Sequence, residues 1–177
     1  MHDESVAVEM PLKAAEPSGP VRETTETRQH FVLARLGSSL CALPLGAVIE
    51  TLRPVPLLAV QGMPPFVLGL GVLRGQAVPV IDARILLGLD ASTPPLRLVS
   101  VRVGHRQVAL AVGEVLGVRE LADVAASELP PLLAHAEAQP LQGLHVLGGE
   151  LLHVLACARL LSADAWRLID QGGGGQT

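Results

Sequence analysis

The sequence predicts a mainly β protein made of two small barrels that lie side by side. Short apolar segments alternate with turn residues roughly every 8 to 12 positions, a spacing typical of sandwiches and barrels. A unit of the chain also recurs in order within the sequence. Hydrophobic residues make up 49% of the 177 residues and aromatic residues only 2%, so aliphatic side chains must form the cores.

Four β-hairpins are predicted, each with two apolar segments joined by a short turn that contains glycine. Two helical segments follow hairpins. Asp82 can cap a helix over 83–87, with Gly88 just past its end. Apolar residues recur at helical spacing over 157–169, which predicts a C-terminal helix. The hairpins are expected at 30–45, 66–81, 97–112 and 141–155, with turns at 37–39, 74–75, 104–105 and 148–149.

Both ends of the chain are predicted to be disordered tails around one domain at 30–170. Residues 1–29 are polar, acidic and without helical or alternating periodicity, so they bury too little apolar area to offset the entropy of ordering. Residues 171–177 contain four consecutive glycines. No Lys-Ser or Lys-Thr follows them, so they are not a phosphate-binding loop.

The domain contains two copies of one unit of hairpin, connector, hairpin and helix. A shift of 74 residues matches 67–87 with 141–161, and a shift of 67 residues matches the other two hairpins. Gly75 and Gly149 occupy the same turn position in both copies, which predicts a structural role at positive φ. The copies differ where Arg74 becomes Gly148 and where the capping acid Asp82 becomes Ala156. Differences of this kind are better guides to function than the shared glycines.

Composition argues against nucleic-acid binding and direct membrane insertion. The net charge is −4, the basic residues form no stripe, and three aromatic side chains cannot make a base-stacking platform. The longest apolar segments, such as 66–73, are far shorter than the roughly 18 residues that a membrane-spanning helix needs. The N-terminus lacks the cationic start and apolar run of a signal peptide.

The sequence offers no catalytic residue, no cofactor-binding residue and no metal site. No polar groups converge in the way that catalysis requires, so the protein is not expected to be an enzyme. His153 and Cys157 are four residues apart, but His153 lies in a predicted strand and Cys157 beyond its end. Cys41 and Cys157 form no CxxC motif and are interpreted as buried thiols of a reducing cytoplasm, with a disulfide or redox pair as the alternative.

The segment 69–84 resembles the CheW family of chemotaxis coupling proteins. It reads Gly-Leu-Gly-Val-Leu-Arg-Gly-Gln-Ala-Val-Pro-Val-Ile-Asp-Ala-Arg. That family has a Gly, two residues, Asn-Leu-Arg-Gly and then Pro-Val-Ile-Asp-Leu-Arg. The likeness extends from about His30 to 161 and covers nearly all of the chain between the tails. The sequence departs from the pattern at Val72, where Asn is usual, at Gly113, where Asp is common, and at Ala156, where an acid is frequent.

The resemblance implies two five-stranded SH3-like barrels and a non-catalytic cytoplasmic adaptor recruited to membrane-associated receptor arrays. Such adaptors bind the tips of methyl-accepting chemotaxis receptors and the regulatory domain of the histidine kinase CheA. By that likeness, Val48, Glu50 and Arg74 fall where the family contacts receptors. The kinase is expected to meet an apolar surface on one barrel, to which no residues are assigned.

Less specific interpretations remain open. Arg74 could form a salt bridge or be solvated at a hairpin tip, and Glu50 could lie on a solvated helix. The protein could be an accessory array component that binds the kinase but not receptors. It could also be a barrel that binds a small apolar ligand, which would require an enclosed apolar cavity.

Overall fold

The computed structural model of the protein describes residues 27–122 and 140–173, and these residues form a mainly β fold with two short helices. The predicted hairpins are present as β1–β2, β5–β6, β7–β8 and β10–β11. The elements are β1 (Arg28–Leu36), β2 (Ser39–Pro44), β3 (Val48–Leu52), β4 (Leu57–Leu58), β5 (Val67–Leu73), β6 (Gln76–Asp82), α1 (Ala83–Leu86), β7 (Arg97–Val103), β8 (Arg106–Val112), β9 (Val115–Ala122), β10 (Leu141–Leu147), β11 (Glu150–Leu155) and α2 (Ala163–Gly173).

The strands form two sheets, each belonging to one lobe. The first sheet has five strands in the order β10-β11-β2-β1-β9, and the second has six in the order β3-β7-β8-β6-β5-β4. The sixth strand is the two-residue β4, which the expectation of five strands per lobe did not include. Each sheet joins two antiparallel hairpins through one short parallel pairing, β2 with β11 and β6 with β8.

The two lobes do not correspond one to one to the two sequence copies. The first sheet takes β1–β2 from the first copy and β10–β11 from the second, while the second sheet takes β5–β6 and β7–β8. The second lobe is therefore a continuous segment of chain, residues 48–112, inserted into the first. The prediction of two lobes that follow one another along the chain is therefore wrong.

Three clusters of buried apolar side chains, most of them aliphatic, hold the fold together, where composition had indicated two barrel cores. Each lobe has one such cluster, around Phe31 and Leu33 in the lobe of the first sheet and around Val78 and Val80 in the lobe of the second. The largest lies between the lobes and includes side chains from both sheets and from α2. Because central strands such as β8 are covered on both faces over most of their length, β8 is continuously apolar and buried from Val108 to Val112.

Several boundaries differ from those predicted. Strands β3 and β9 were not predicted, and Glu50 lies in β3, so its interpretation as a residue of a solvated helix is wrong. The predicted helix over 157–169 is a 3-10 turn at Cys157–Arg159 followed by α2, which Ser162 caps by accepting a hydrogen bond from the Ala165 N–H. Strand β1 begins inside the predicted tail 1–29, and α2 continues to Gly173, inside the predicted tail 171–177. The rest of both tails lies outside the described residues.

No helix within the described part of the chain is long and apolar enough to cross a membrane.

Candidate partner-binding surface

Arg74 and Glu50, both predicted to contact a partner, are joined by a two-point ion pair. The Arg74 Nε donates to Glu50 Oε1 at 3.0 Å, and Nη2 donates to Oε2 at 2.9 Å. The side chain of Arg74 is 78% exposed and that of Glu50 is 24% exposed. The salt bridge considered for Arg74 is therefore present. It joins the β5–β6 turn to the edge strand β3, so the second sheet curls back on itself as in a barrel.

The backbone of Arg74 is strained. Its φ is 50° and that of Gly75 is 79°, so both central residues of the turn are left-handed, as a type I′ turn requires. The matching turn of the second copy uses glycine twice, with φ of 60° at Gly148 and 85° at Gly149. A residue with a Cβ atom is disfavoured in this conformation. Because glycine would relieve the strain, the presence of arginine points to a use for its side chain.

Exposed apolar residues lie next to the ion pair along the chain. Val72 precedes the turn and is 68% exposed, and Ile49, beside Glu50, is 41% exposed. Val48 is half-buried and packs against the central core, so it anchors strand β3 and also contributes to the surface beside Glu50. We refer to Val48, Ile49, Glu50, Val72 and Arg74 as the Arg74 surface. Ile49 had not been singled out from the sequence, because its strand β3 had not been recognised.

A second exposed apolar site occurs at the equivalent place in the other lobe. Val146 is 72% exposed, and Leu151, its cross-strand partner in β10–β11, is 43% exposed. Val146 corresponds to Val72 under the 74-residue shift. The chain thus presents two related hairpins, one ending in Arg74-Gly75 and the other in Gly148-Gly149. We call the Val146 and Leu151 pair the β10–β11 patch.

Asp82, predicted as a helix cap, also takes part in a buried ion pair. Its Oδ1 accepts from the Arg84 N–H at 2.9 Å, and its carboxylate accepts from Arg84 Nε at 3.1 Å and Nη2 at 2.8 Å. Both residues are 3% exposed. Arg84 also donates through Nη1 to the Thr93 carbonyl oxygen and hydroxyl, which fixes the connector to β7. The hydrogen bonds to Asp82 raise the pKa of the Arg84 guanidinium, so Arg84 stays charged although it is buried. Ala156 and Ala158 replace it in the second copy.

The two cysteines are free and buried in the central core. Burial raises the pKa of the Cys41 thiol to about 12 and that of Cys157 to about 11. His153 is buried, with Nδ1 at 3.2 Å from the Leu40 carbonyl oxygen. Among residues 27–122 and 140–173, no three His, Cys, Asp or Glu side chains lie close enough together to hold a metal ion.

A cleft of about 860 Å³ opens beside the Arg74 surface. It lies between the tips of β5–β6 and β7–β8 and is bounded by α2 through Trp166, Ile169 and Asp170. Its walls include Arg102, which is charged, as well as apolar side chains. An open cleft with charged walls does not match the enclosed apolar cavity that a small apolar ligand would require.

Comparison with known proteins identifies the family. The CheW-like domain family matches residues 30–165, which is most of the chain. Protein FrzA of Myxococcus xanthus is 30% identical over 157 residues, covering 86% of this chain and 98% of FrzA. The chemotaxis protein CheW of Klebsiella aerogenes is 26% identical over 147 residues, covering 80% of this chain and 87% of the relative.

The fold agrees with a solved structure. The scaffolding protein TtCheW from Thermoanaerobacter tengcongensis superimposes with a TM-score of 0.66 at 21% identity, covering 77% of this chain and 94% of TtCheW. The family match over residues 30–165 and the identity with FrzA show that the protein belongs to the CheW-like domain family, whose members are non-catalytic scaffolds of chemotaxis signalling.

Proposed function

We propose that the protein couples methyl-accepting chemotaxis receptors to a CheA-type histidine kinase. In this proposal the receptor tip binds the Arg74 surface, and the regulatory domain of the kinase binds the β10–β11 patch. The site of action is the cytoplasmic face of membrane-associated receptor arrays. The observation that carries the proposal is the exposed guanidinium of Arg74, held in place by Glu50 on a strained turn.

The geometry of Arg74 suits recognition of a partner. Glu50 uses the Nε and Nη2 side of the guanidinium, while Nη1 makes no hydrogen bond to any described residue. A partner carboxylate or carbonyl can therefore approach the free Nη1 edge without displacing Glu50. The ion pair also limits the rotamers of a long side chain before binding, which reduces the entropy lost on association. Exposed Val72 and Ile49 supply apolar contact area on either side.

The β10–β11 patch supports a separate kinase site. Its tip is Gly148-Gly149, so no charged side chain projects from the turn, and the exposed surface next to it is the aliphatic pair Val146 and Leu151. Partner-binding patches have apolar centres depleted of charge. Two hairpins of common origin, one carrying a charge and the other aliphatic, give one chain two surfaces of different chemistry. An adaptor needs two such surfaces.

The receptor assignment can be tested with three variants in a binding assay against purified receptor tip fragments. Arg74→Ala and Arg74→Gly should both weaken binding by roughly tenfold, because each removes the guanidinium from a central contact. Arg119→Ala, which changes an exposed arginine of β9, should bind as the unaltered protein does. Arg74→Gly should melt at a higher temperature than Arg74→Ala, because glycine accepts the left-handed backbone.

The outcomes separate the competing interpretations. Normal receptor binding by both Arg74 variants would show that the assignment to the Arg74 surface is wrong. If the unaltered protein binds the kinase regulatory domain but no receptor fragment, it is an accessory array component. The exposed Val72, where the family usually has Asn, is the residue to exchange first in that case.

A further inference from the structure

The cleft beside the Arg74 surface results from the way in which two hairpins separate. Strands β6 and β8 pair in parallel over only three positions, Val80–Asp82 with Ala109–Ala111. Beyond these positions the two hairpins run to separate tips, and the space between them is the cleft of about 860 Å³. The first sheet has the same parallel junction, between β2 and β11. The two junctions can therefore be compared position by position.

An ion pair spans the junction of the first sheet. Arg35 on β1 donates from Nη1 to Glu150 Oε1 on β11 at 2.7 Å, and joins the two hairpins near their tips. The 67-residue shift places Arg102 at the position of Arg35, and the 74-residue shift places Gln76 at the position of Glu150. Arg102 and Gln76 both line the cleft. The second sheet thus keeps the arginine and has lost the acid.

Arg102 has no acidic partner among the described residues. Neither Arg102 nor Gln76 makes a side-chain hydrogen bond or ion pair within that part of the chain. The neighbouring acids Glu50 and Asp170 already accept hydrogen bonds from other arginines. Both oxygens of Glu50 accept from Arg74, and both oxygens of Asp170 accept from Arg106 at 2.8 and 3.0 Å. Within residues 27–122 and 140–173, Arg102 is therefore a guanidinium without a counter-ion, and it corresponds to an arginine that is paired with a carboxylate in the first sheet.

The remaining walls favour a peptide segment over a free ion. Ile49, Leu70, Val78 and Trp166 contribute apolar surface around Arg102. The indole of Trp166 is fixed by the guanidinium of Arg106, whose central carbon lies 4.6 Å from the ring centroid. Apolar side chains around Arg102, the lining arginine that has no acidic partner among the described residues, match an acidic side chain with apolar neighbours.

We propose that this cleft is a docking site for a segment of a partner protein that carries a glutamate or aspartate side chain. The carboxylate of the partner takes the position that Glu150 occupies in the first sheet and accepts hydrogen bonds from Arg102. Its apolar neighbours pack against Ile49 and Trp166. The carboxylate site is Arg102 and not the ion pair of Arg74, although Ile49 borders both surfaces. The test involves neither a receptor nor a kinase, so its failure can be distinguished from failure of the proposed function.

The test uses the full chain labelled with ¹⁵N and the tripeptide acetyl-Leu-Glu-Leu-amide as the probe, followed by NMR titration. We expect saturable shifts of the Trp166 indole N–H and the Arg102 Nε–H signals. The matched peptide acetyl-Leu-Gln-Leu-amide should bind roughly tenfold more weakly or not at all, because it lacks the charge. Arg102→Gln should reduce binding of the glutamate peptide by a similar factor, and Arg119→Gln should leave it unchanged.

Gln76→Glu provides the decisive variant. It restores within the chain the acid that the second sheet lacks, so the introduced carboxylate should pair with Arg102 and block the glutamate peptide. Its melting temperature should equal or exceed that of the unaltered protein, which excludes unfolding as the cause of lost binding. Equal binding of the two peptides, or undiminished binding of the glutamate peptide by Arg102→Gln or by Gln76→Glu, would overturn the proposal.

Discussion

Replacing Asp82 with alanine should destabilise the protein strongly, although Asp82 lies in none of the proposed binding surfaces. The change removes two things at once. The Arg84 N–H at the start of α1 loses its capping acceptor, and the guanidinium of Arg84 loses its counter-ion while it stays 3% exposed. An unpaired buried charge is far more costly than a lost surface contact, because the charge keeps its desolvation penalty without compensation.

The magnitude follows from these two losses. A lost cap costs about 1 kcal/mol, and breaking a buried ion pair by removing one partner costs about 3–5 kcal/mol. Since Arg84 keeps its bonds to Thr93, we expect the lower end, about 4 kcal/mol in all for Asp82→Ala. Arg84→Ala should cost about 3 kcal/mol, because the Asp82 carboxylate keeps one backbone donor.

The double variant supplies the control. Ala156 and Ala158 occupy the equivalent positions of the second copy, so two alanines are compatible with this local fold. The free energy of unfolding of both single variants and the double variant can be measured with urea. We expect the double variant to lose about 4 kcal/mol, which is about 3 kcal/mol less than the sum of the two single losses. That difference is the coupling energy between the two side chains. The reasoning fails if the two single losses simply add, or if Asp82→Ala costs less than about 1 kcal/mol.

Three further predictions concern the other lobe and the central core. Val146→Asp should weaken binding of the kinase regulatory domain by about tenfold, while the control Val118→Asp, on an exposed position of β9, should not; equal effects would contradict the β10–β11 patch. The hydrogen bond from Arg35 lowers the pKa of Glu150. The ion pair therefore stabilises the fold above the pKa that Glu150 has in the unfolded chain, and this stabilisation is lost as pH falls through the lowered pKa of the folded state. The melting temperatures of the protein and Glu150→Gln should differ at pH 7 and converge in strong acid, and a constant difference would argue against the pair. With thiol pKa values of about 12 and about 11, Cys41 and Cys157 should resist a thiol reagent at pH 8 until urea unfolds the chain, and fast reaction of either folded thiol would refute their burial.

The hairpins and turns could be predicted because their signals are local. Turn glycines such as Gly75 and Gly149 require a backbone conformation that few other residues accept, and they have φ of 79° and 85°. Alternation and apolar runs mark the strands that flank them. The pairing of Arg74 with Glu50 was not predictable from spacing, since the residues are far apart in sequence and β3 was not recognised. Strand β3 is an edge strand whose alternation is half-buried, which is a weak pattern.

Long-range arrangement set the other limits. Sequence comparison shows that two hairpins are related but not which hairpin each one pairs with, because three-residue parallel junctions such as that between β2 and β11 leave little trace in sequence. The shared central core was missed for a similar reason. The part of β8 that is buried on both faces reads in sequence as one apolar run, and such a run does not show that two lobes share the strand's neighbours. The missing acid beside Arg102, in contrast, can be read from the repeat, which aligns Arg102 with Arg35 and Gln76 with Glu150.

The insertion of one lobe into the other imposes an order on biosynthesis. A ribosome releases residues 48–112 as one continuous segment, so the second sheet has all its strands before β10 and β11 are made. Strand β2, in contrast, must wait for β11, more than a hundred residues later, to gain its second neighbour. A nascent or prematurely terminated chain could then display the Arg74 surface without the β10–β11 patch. If the two surfaces bind as proposed, such a fragment would occupy receptors without recruiting kinase, and completion of the C-terminal hairpin would give the chain its second binding surface.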